Sequence, residues 1–327
     1  MEASLNPPRY RWRAPFFARV DTNDVLHIDG YTQEIVDREI AYAKAGGLDY
    51  WAFLLYDEGN SMSQGLALYL SSNRRRDVNF CAIASPSTFG GPAQWPRGVE
   101  RLVRLMREPG YQTVCGGRPL LYLFRPEEKW IEAWGGPAKA RARFDGLRAA
   151  ARQAGLANPY VVVMDSGKAE SVKRTADLFG AEAISDYARQ KNAAGAPYAE
   201  LAAVACDFWA ECAATGAEVV PLAMAGWDRR PRVERPVPWE TWQKPNVGLD
   251  KYYVLPTPCE LAAHIGDAMS WAERCPAKTV LVYAWNEHDE GGWLCPTLGA
   301  DGRPDATRLQ ALAAMRRQRV CGTKEAK

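Results

Sequence analysis

Apolar, strand-like runs alternate with amphipathic stretches from one end of this chain to the other, and that alternation most narrows its fold. Strand-like runs occur at 15–20 (PFFARV), 48–56 (LDYWAFLLY), 78–85, 119–125, 159–165, 181–187, 218–226 and 279–286. Helical patterning fills the intervals at 32–45, 62–71, 97–107, 138–154, 168–179, 198–215, 258–273 and 305–318. Continuous or alternating apolar runs suit buried strands, whereas a 3.6-residue period suits helices. Eight such units in 327 residues predict an α/β fold, a (β/α)8 TIM barrel forming one domain over 1–327. An open doubly wound sheet is the rival, but no G-x-G-x-x-G turn follows the first strand. Pro221 lies inside the seventh run and predicts a bulge, because proline cannot donate to the ladder. The stretch Pro231–Pro238 reads as a long loop.

Helix boundaries are marked by chemistry. Thr32 before Gln33, Glu34 and Ile35 is an N-cap signal, and Gly46-Gly47 a stop. Thr257-Pro258 before Cys259 and Glu260 puts proline at a first helical position.

A net charge of +2 gives no electrostatic case for nucleic acid or an anionic membrane. No apolar run is long enough for a membrane span, and MEASLNPPRYRWRAPFF has no signal-peptide core, so a cytoplasmic protein is expected. The eight cysteines form no C-x-x-C pair, which favours reduced thiols over disulfides or zinc.

Barrel strands deliver their chemistry at their C-terminal ends. Those ends carry Tyr56-Asp57-Glu58, Ser85-Pro86-Ser87, Arg125-Pro126, Asp165-Ser166, Asp186-Tyr187, Trp227-Asp228 and Trp285-Asn286-Glu287. Each alone reads as a helix cap or core residue; together they predict a binding cleft. The last strand runs into Asn286-Glu287-His288-Asp289-Glu290-Gly291-Gly292, a density of charge that no core would gain from. Glu287 and Glu290 are the candidate catalytic pair, since glycoside hydrolysis uses two carboxyls beside the anomeric carbon. The expectation is that Glu287 stays ionised and that its charge keeps Glu290 protonated. Tyr56, Asp57, Glu58, Arg125, Asp186, Trp227, Asp228, Trp285, Asn286 and His288 are candidate substrate contacts, with Trp227 as an aromatic wall and Asp228 bonding sugar hydroxyls. His288 with Asp289, Glu287 and Glu290 is a rival metal set, but no H-x-H or H-E-x-x-H spacing supports it; no metal and no cofactor is expected.

The run Ala284-Trp285-Asn286-Glu287-His288-Asp289-Glu290-Gly291-Gly292-Trp293-Leu294-Cys295-Pro296 resembles the A-W-N-E-x-x-E-G-x-x-L-x-P signature of the glycoside hydrolase family 99-like group. That group includes WbsX-like proteins of polysaccharide gene clusters and is related to endo-α-mannosidases. Gly117-Arg118-Pro119-Leu120-Leu121-Tyr122 and Gly226-Trp227-Asp228-Arg229-Arg230-Pro231-Arg232 resemble two further segments of the same group. The resemblance implies a barrel acting on carbohydrate by a retaining route through a 1,2-anhydro sugar. Glu287 would then assist the sugar 2-hydroxyl and Glu290 would be the acid/base.

Three departures bear on the substrate. His288-Asp289 stands where Trp-His is usual, Arg229-Arg230 replaces Asn-Thr, and Phe16-Phe17-Ala18-Arg19 lacks a tyrosine-rich ending. The arginines suit either an acidic or phosphorylated sugar, or an arginine–carboxylate pair that closes the loop. A glycosyltransferase-like role in polysaccharide assembly and a non-catalytic glycan-binding barrel are the alternatives to hydrolysis.

Overall fold

The computed structural model describes residues 1–85, 88, 93–191 and 193–325, with side chains described as far as 320. Pro86 and Ser87, expected at the end of a barrel strand, lie outside the described residues, as does the Cys321 side chain.

The barrel strands are β1 (Tyr50–Leu54), β2 (Asn79–Ala84), β3 (Arg118–Phe124), β4 (Tyr160–Met164), β5 (Ala183–Ser185), β6 and β7 (Leu281–Tyr283). Strand β6 comes in two pieces, Glu218–Val219 and Leu222–Met224. The ring helices are α1 (Gln33–Gly46), α2 (Gln64–Ser71), α3 (Trp95–Met106), α4 (Pro137–Gln153), α5 (Ala169–Phe179), α6 (Tyr198–Ala214), α7 (Pro258–Ala272) and α8 (Thr307–Glu325). All strand pairs along the wall are parallel, from β1–β2 through to β6–β7. Strands covered on both faces can be apolar throughout, and all five residues of β4 are buried. The fold is the expected barrel class.

Local signals decide the boundaries. The Thr32 hydroxyl accepts from the Ile35 amide, and Gly47 closes α1 in the left-handed region at φ 80°. Thr257 and Glu260 form a reciprocal capping box at the start of α7. At Pro221 the strand breaks between its two pieces. Glu218–Val219 pairs with β5 and Leu222–Met224 with β7, while the Pro221 carbonyl accepts from the Leu281 amide at 3.0 Å. Losing one donor thus divides the strand between its two neighbours.

One expected strand is placed otherwise. Segment 15–20 is not in the barrel wall: Pro15 bridges Thr297, and Arg19–Val20 pairs antiparallel with Leu26–His27. Proline at 15 and the turn at 21–24 favour a short hairpin over a long buried strand. Helix α8 nevertheless packs against α1, so the helical ring closes.

Candidate active site

Strand β7 ends at Tyr283, and the chain then folds into a tight hairpin in which Asn286–Glu287 pairs antiparallel with Gly292–Trp293. The turn carries His288, Asp289 and Glu290, so the carboxylates return over the barrel mouth instead of trailing into a helix. Glycine is required here by close packing. Gly226 (φ 139°) and Gly291 (φ 85°) press backbone to backbone, and a Cβ on Gly226 would come within 2.2 Å of the Gly291 carbonyl oxygen. The Asp228 amide donates to the Glu290 carbonyl at 2.7 Å, which ties the turn after β6 to the hairpin after β7.

Arg232 is the centre of the site. Its Nη2 donates to Glu287 Oε2 at 2.8 Å and lies 3.1 Å from Asp289 Oδ1, while its Nη1 donates to Glu290 Oε1. Arg229 adds a bond to Glu290 Oε1 at 3.1 Å and another to Glu240. The Tyr283 hydroxyl donates to the other Glu290 oxygen. Asp289 Oδ2 accepts from the Ser4 hydroxyl at 2.7 Å and lies 3.5 Å from the Met1 ammonium. Four buried or half-buried carboxylates therefore face two guanidiniums and one ammonium, one positive charge short of balance.

Burial raises the pKa of Glu287 above the ordinary glutamate value, with Arg232 pulling the other way. Burial also raises Glu290 against Arg232 and Arg229, and the charge of Glu240 adds to the rise. The expected asymmetry does not emerge: burial lifts both glutamates, with Asp289 the like charge acting on Glu287 and Glu240 the one acting on Glu290. Burial works on Asp289 as well, but Arg232 and the ammonium outweigh it and hold that carboxyl below its usual range. His288 is fully buried against the Trp293 ring, and burial pushes its pKa down to about 3, so it is a neutral packing residue near neutrality.

A cleft of about 1130 Å³ opens at the mouth, lined by Tyr56, Tyr187, Tyr283, Asn286 and Glu287, with Trp285 and His288 also on its wall. The other candidates divide. Trp227 lines a second cavity of about 610 Å³ with Arg229 and Trp242, its ring 5.7 Å from that of Tyr283. Asp57 is exposed, and Glu58 is paired with Arg101 and Arg104 of α3. Arg125 is exposed at the end of β3. Asp186 is buried in an ion pair with Arg189, its pKa raised to about 6 by burial.

Asp228 corrects the expectation of a sugar contact. It is 0% exposed, with Arg13 donating to one carboxylate oxygen and Arg230 to both. A carboxylate so enclosed has no oxygen left for a hydroxyl. Arg232, Tyr283, Arg13 and Glu240 were not singled out from the sequence. Arg232 stood at the end of a quoted motif and Tyr283 within a strand, but nothing in their spacing shows which carboxylates they meet.

Among the described residues no group of three or more His, Cys, Asp or Glu side chains is placed to hold a metal ion. Among them, too, no helix is long and apolar enough to cross a membrane.

No family model matches the chain, and no curated protein matches it. Solved structures do. A GH99 endo-α-mannosidase from Bacteroides thetaiotaomicron, in complex with Bis-Tris-propane, is 15% identical with a TM-score of 0.58, over 96% of this chain and 90% of that one. A second structure of the GH99 endo-α-mannosidase from that organism is 14% identical with a TM-score of 0.57, over 89% and 81%. The chain therefore shares the barrel fold of these GH99 structures, the family whose signature its β7 motif resembles.

Proposed function

We propose that this chain is a glycoside hydrolase acting on a carbohydrate substrate, with Glu287 and Glu290 dividing the work of bond cleavage. The observation that carries the reading is Arg232 holding both carboxylates at the mouth of a barrel, where catalytic groups of this fold collect. The likeness to GH99 endo-α-mannosidases supports the same class.

Glu287 lines the cleft and is the group that receives the proton of a sugar 2-hydroxyl. Glu290 and Tyr283 are both nearly covered, at 8% and 4% exposed, but Tyr283, bonded to Glu290, is the one that lies on the cleft wall. The proton for the leaving oxygen then passes through Tyr283: with Glu290 protonated and donating to the phenol oxygen, the Tyr283 hydroxyl proton goes to the glycosidic oxygen and the Glu290 proton replaces it, leaving Glu290 as the carboxylate. A retaining reaction through a 1,2-anhydro sugar fits these roles, with both transfers reversed when water opens the epoxide. A polysaccharide substrate of the WbsX-like kind belongs to the same proposal.

The ion pairs favour a second reading. Both Glu290 oxygens are engaged, which is the pattern of a structural network, so a glycan-binding barrel without turnover is the alternative. Incubation with bacterial polysaccharides and aryl glycosides at pH 5–7 separates the two. New reducing ends that vanish in Glu287→Gln support hydrolysis; binding without product in the wild type supports the alternative.

A further inference from the structure

The wall of the barrel is incomplete. Eight helices form a closed ring, α8 packing on α1, yet among the described residues only seven strands stand inside it. Strand β1 pairs only with β2, and β7 only with β6, so two free edges face each other across a gap. At its foot the Tyr50 hydroxyl reaches across to the Val280 carbonyl at 3.1 Å. Above that the Trp51 and Trp285 rings meet across the gap, 5.1 Å between centroids, but no backbone pairs either edge. The cleft of about 1130 Å³ runs along it from Leu48 and Asp49 to Tyr56 and Glu287, backed by Val36 and Glu39 of α1 and Leu312 of α8.

Parallel strands inside a helical ring are normally covered on both edges and both faces. Here all five residues of β1 are only half-buried, whereas those of β4 are fully buried. The Trp51 indole N–H is buried on the cavity wall with no acceptor. Packed interiors hold few voids larger than a water molecule. A void this size beside two unpaired edges is the space of a missing strand, about 17 Å long for five residues.

We propose that the gap is a strand position, filled by an extended apolar segment of the same polypeptide joined ahead of Met1. Direction and connection argue for that occupant. A strand parallel to β1 and β7 runs from the foot of the barrel to its mouth. Met1 and Glu2 line the cavity, and the Met1 nitrogen lies 3.5 Å from Asp289, in the hairpin above β7. The segment therefore leaves the gap where the chain takes up, with no crossover to build. Its backbone pairs both free edges, as in strand addition to an open sheet. The segment takes the part of the cleft between β1 and β7, leaves its mouth at Tyr56, Tyr187 and Glu287 to substrate, and turns the Met1 ammonium beside Asp289 into an amide.

Hydrogen exchange read by mass spectrometry tests it, first on the chain as it stands and then on the chain extended by the in-frame codons that precede Met1 in its gene. In the first, alternate amides of 50–54 and 281–283 exchange at least tenfold faster than those of 160–164. In the second they slow at least tenfold, and the melting temperature rises by several degrees. Slow exchange at both edges without the extension overturns the proposal. So does an extension that leaves exchange and melting unchanged, or an in-frame stop codon too close to Met1 to leave room for a strand. Protection that grows with protein concentration, together with a dimer in sedimentation, assigns the gap to a second copy and overturns it as well.

Discussion

Arg232 Nη2 stands 2.8 Å from Glu287 Oε2, a contact between residues 55 positions apart that fixes the loop after β6 over the hairpin after β7. The same guanidinium holds Glu290 and Asp289. Removing it leaves buried carboxylates uncompensated, which costs far more than the pair contributes when intact. Arg232→Met should lose about 3–5 kcal/mol in denaturant titrations at pH 8. The loss should shrink at pH 5, where the released carboxyls take up protons. A deficit independent of pH would mean that Arg232 acts by packing alone.

Tyr283→Phe and Glu290→Gln should behave alike. Each interrupts the proton path and should lower turnover on a natural glycan by about 10²–10⁴-fold. Activated aryl glycosides, which need little protonation, should be largely spared. Glu287→Gln should impair both substrate types. A fully active Tyr283→Phe variant would remove the relay from the mechanism.

Asp228 and Trp227 are adjacent but should separate in opposite directions. Asp228→Asn disrupts a buried network with Arg13 and Arg230, and should cost about 3 kcal/mol of stability while leaving glycan affinity unchanged. Trp227→Ala removes an aromatic surface beside Trp242, itself 66% exposed, and should weaken glycan binding by about 1 kcal/mol. Calorimetry with thermal melts of the same variants reads both.

Glu39 makes stability fall as pH rises from acid towards neutral. Burial raises its pKa from 4.5 to about 7, with the Trp285 indole N–H donating to it at 3.1 Å. A carboxyl whose folded pKa is raised contributes its stability below the unfolded value, and that contribution is lost as pH rises through the folded one. Stability should therefore decline between pH 4.5 and about 7, by roughly 1–3 kcal/mol from this group. Glu39→Gln should flatten that part of the profile.

Much of the architecture was legible in the residues. The helices expected at 32–45, 168–179 and 258–273 lie at Gln33–Gly46, Ala169–Phe179 and Pro258–Ala272, because caps and periodicity act over a few residues. The Glu287–Glu290 cluster was legible for a similar reason: that much charge after a core strand has no packing explanation. Pro221 marked the irregular point of its strand, expected as a bulge and found as a break between two pieces, since a missing donor is a property of the residue itself.

Tertiary structure decided the rest. Asp228 and Glu287 are both carboxylates after barrel strands, yet Arg13 and Arg230 close over one while the other lines the cleft. Arg13 is 215 positions from Asp228, and such partners are set by how loops cross, not by local pattern. The segment at 15–20 looked like the first barrel strand, but apolar content does not fix where a short run pairs. Sequence determined which segments become helix or strand and which residue types gather at the mouth. Long-range packing alone decided which carboxylates are paired and buried, and that β1 and β7 do not meet, because burial and charge compensation are properties of the assembled neighbourhood.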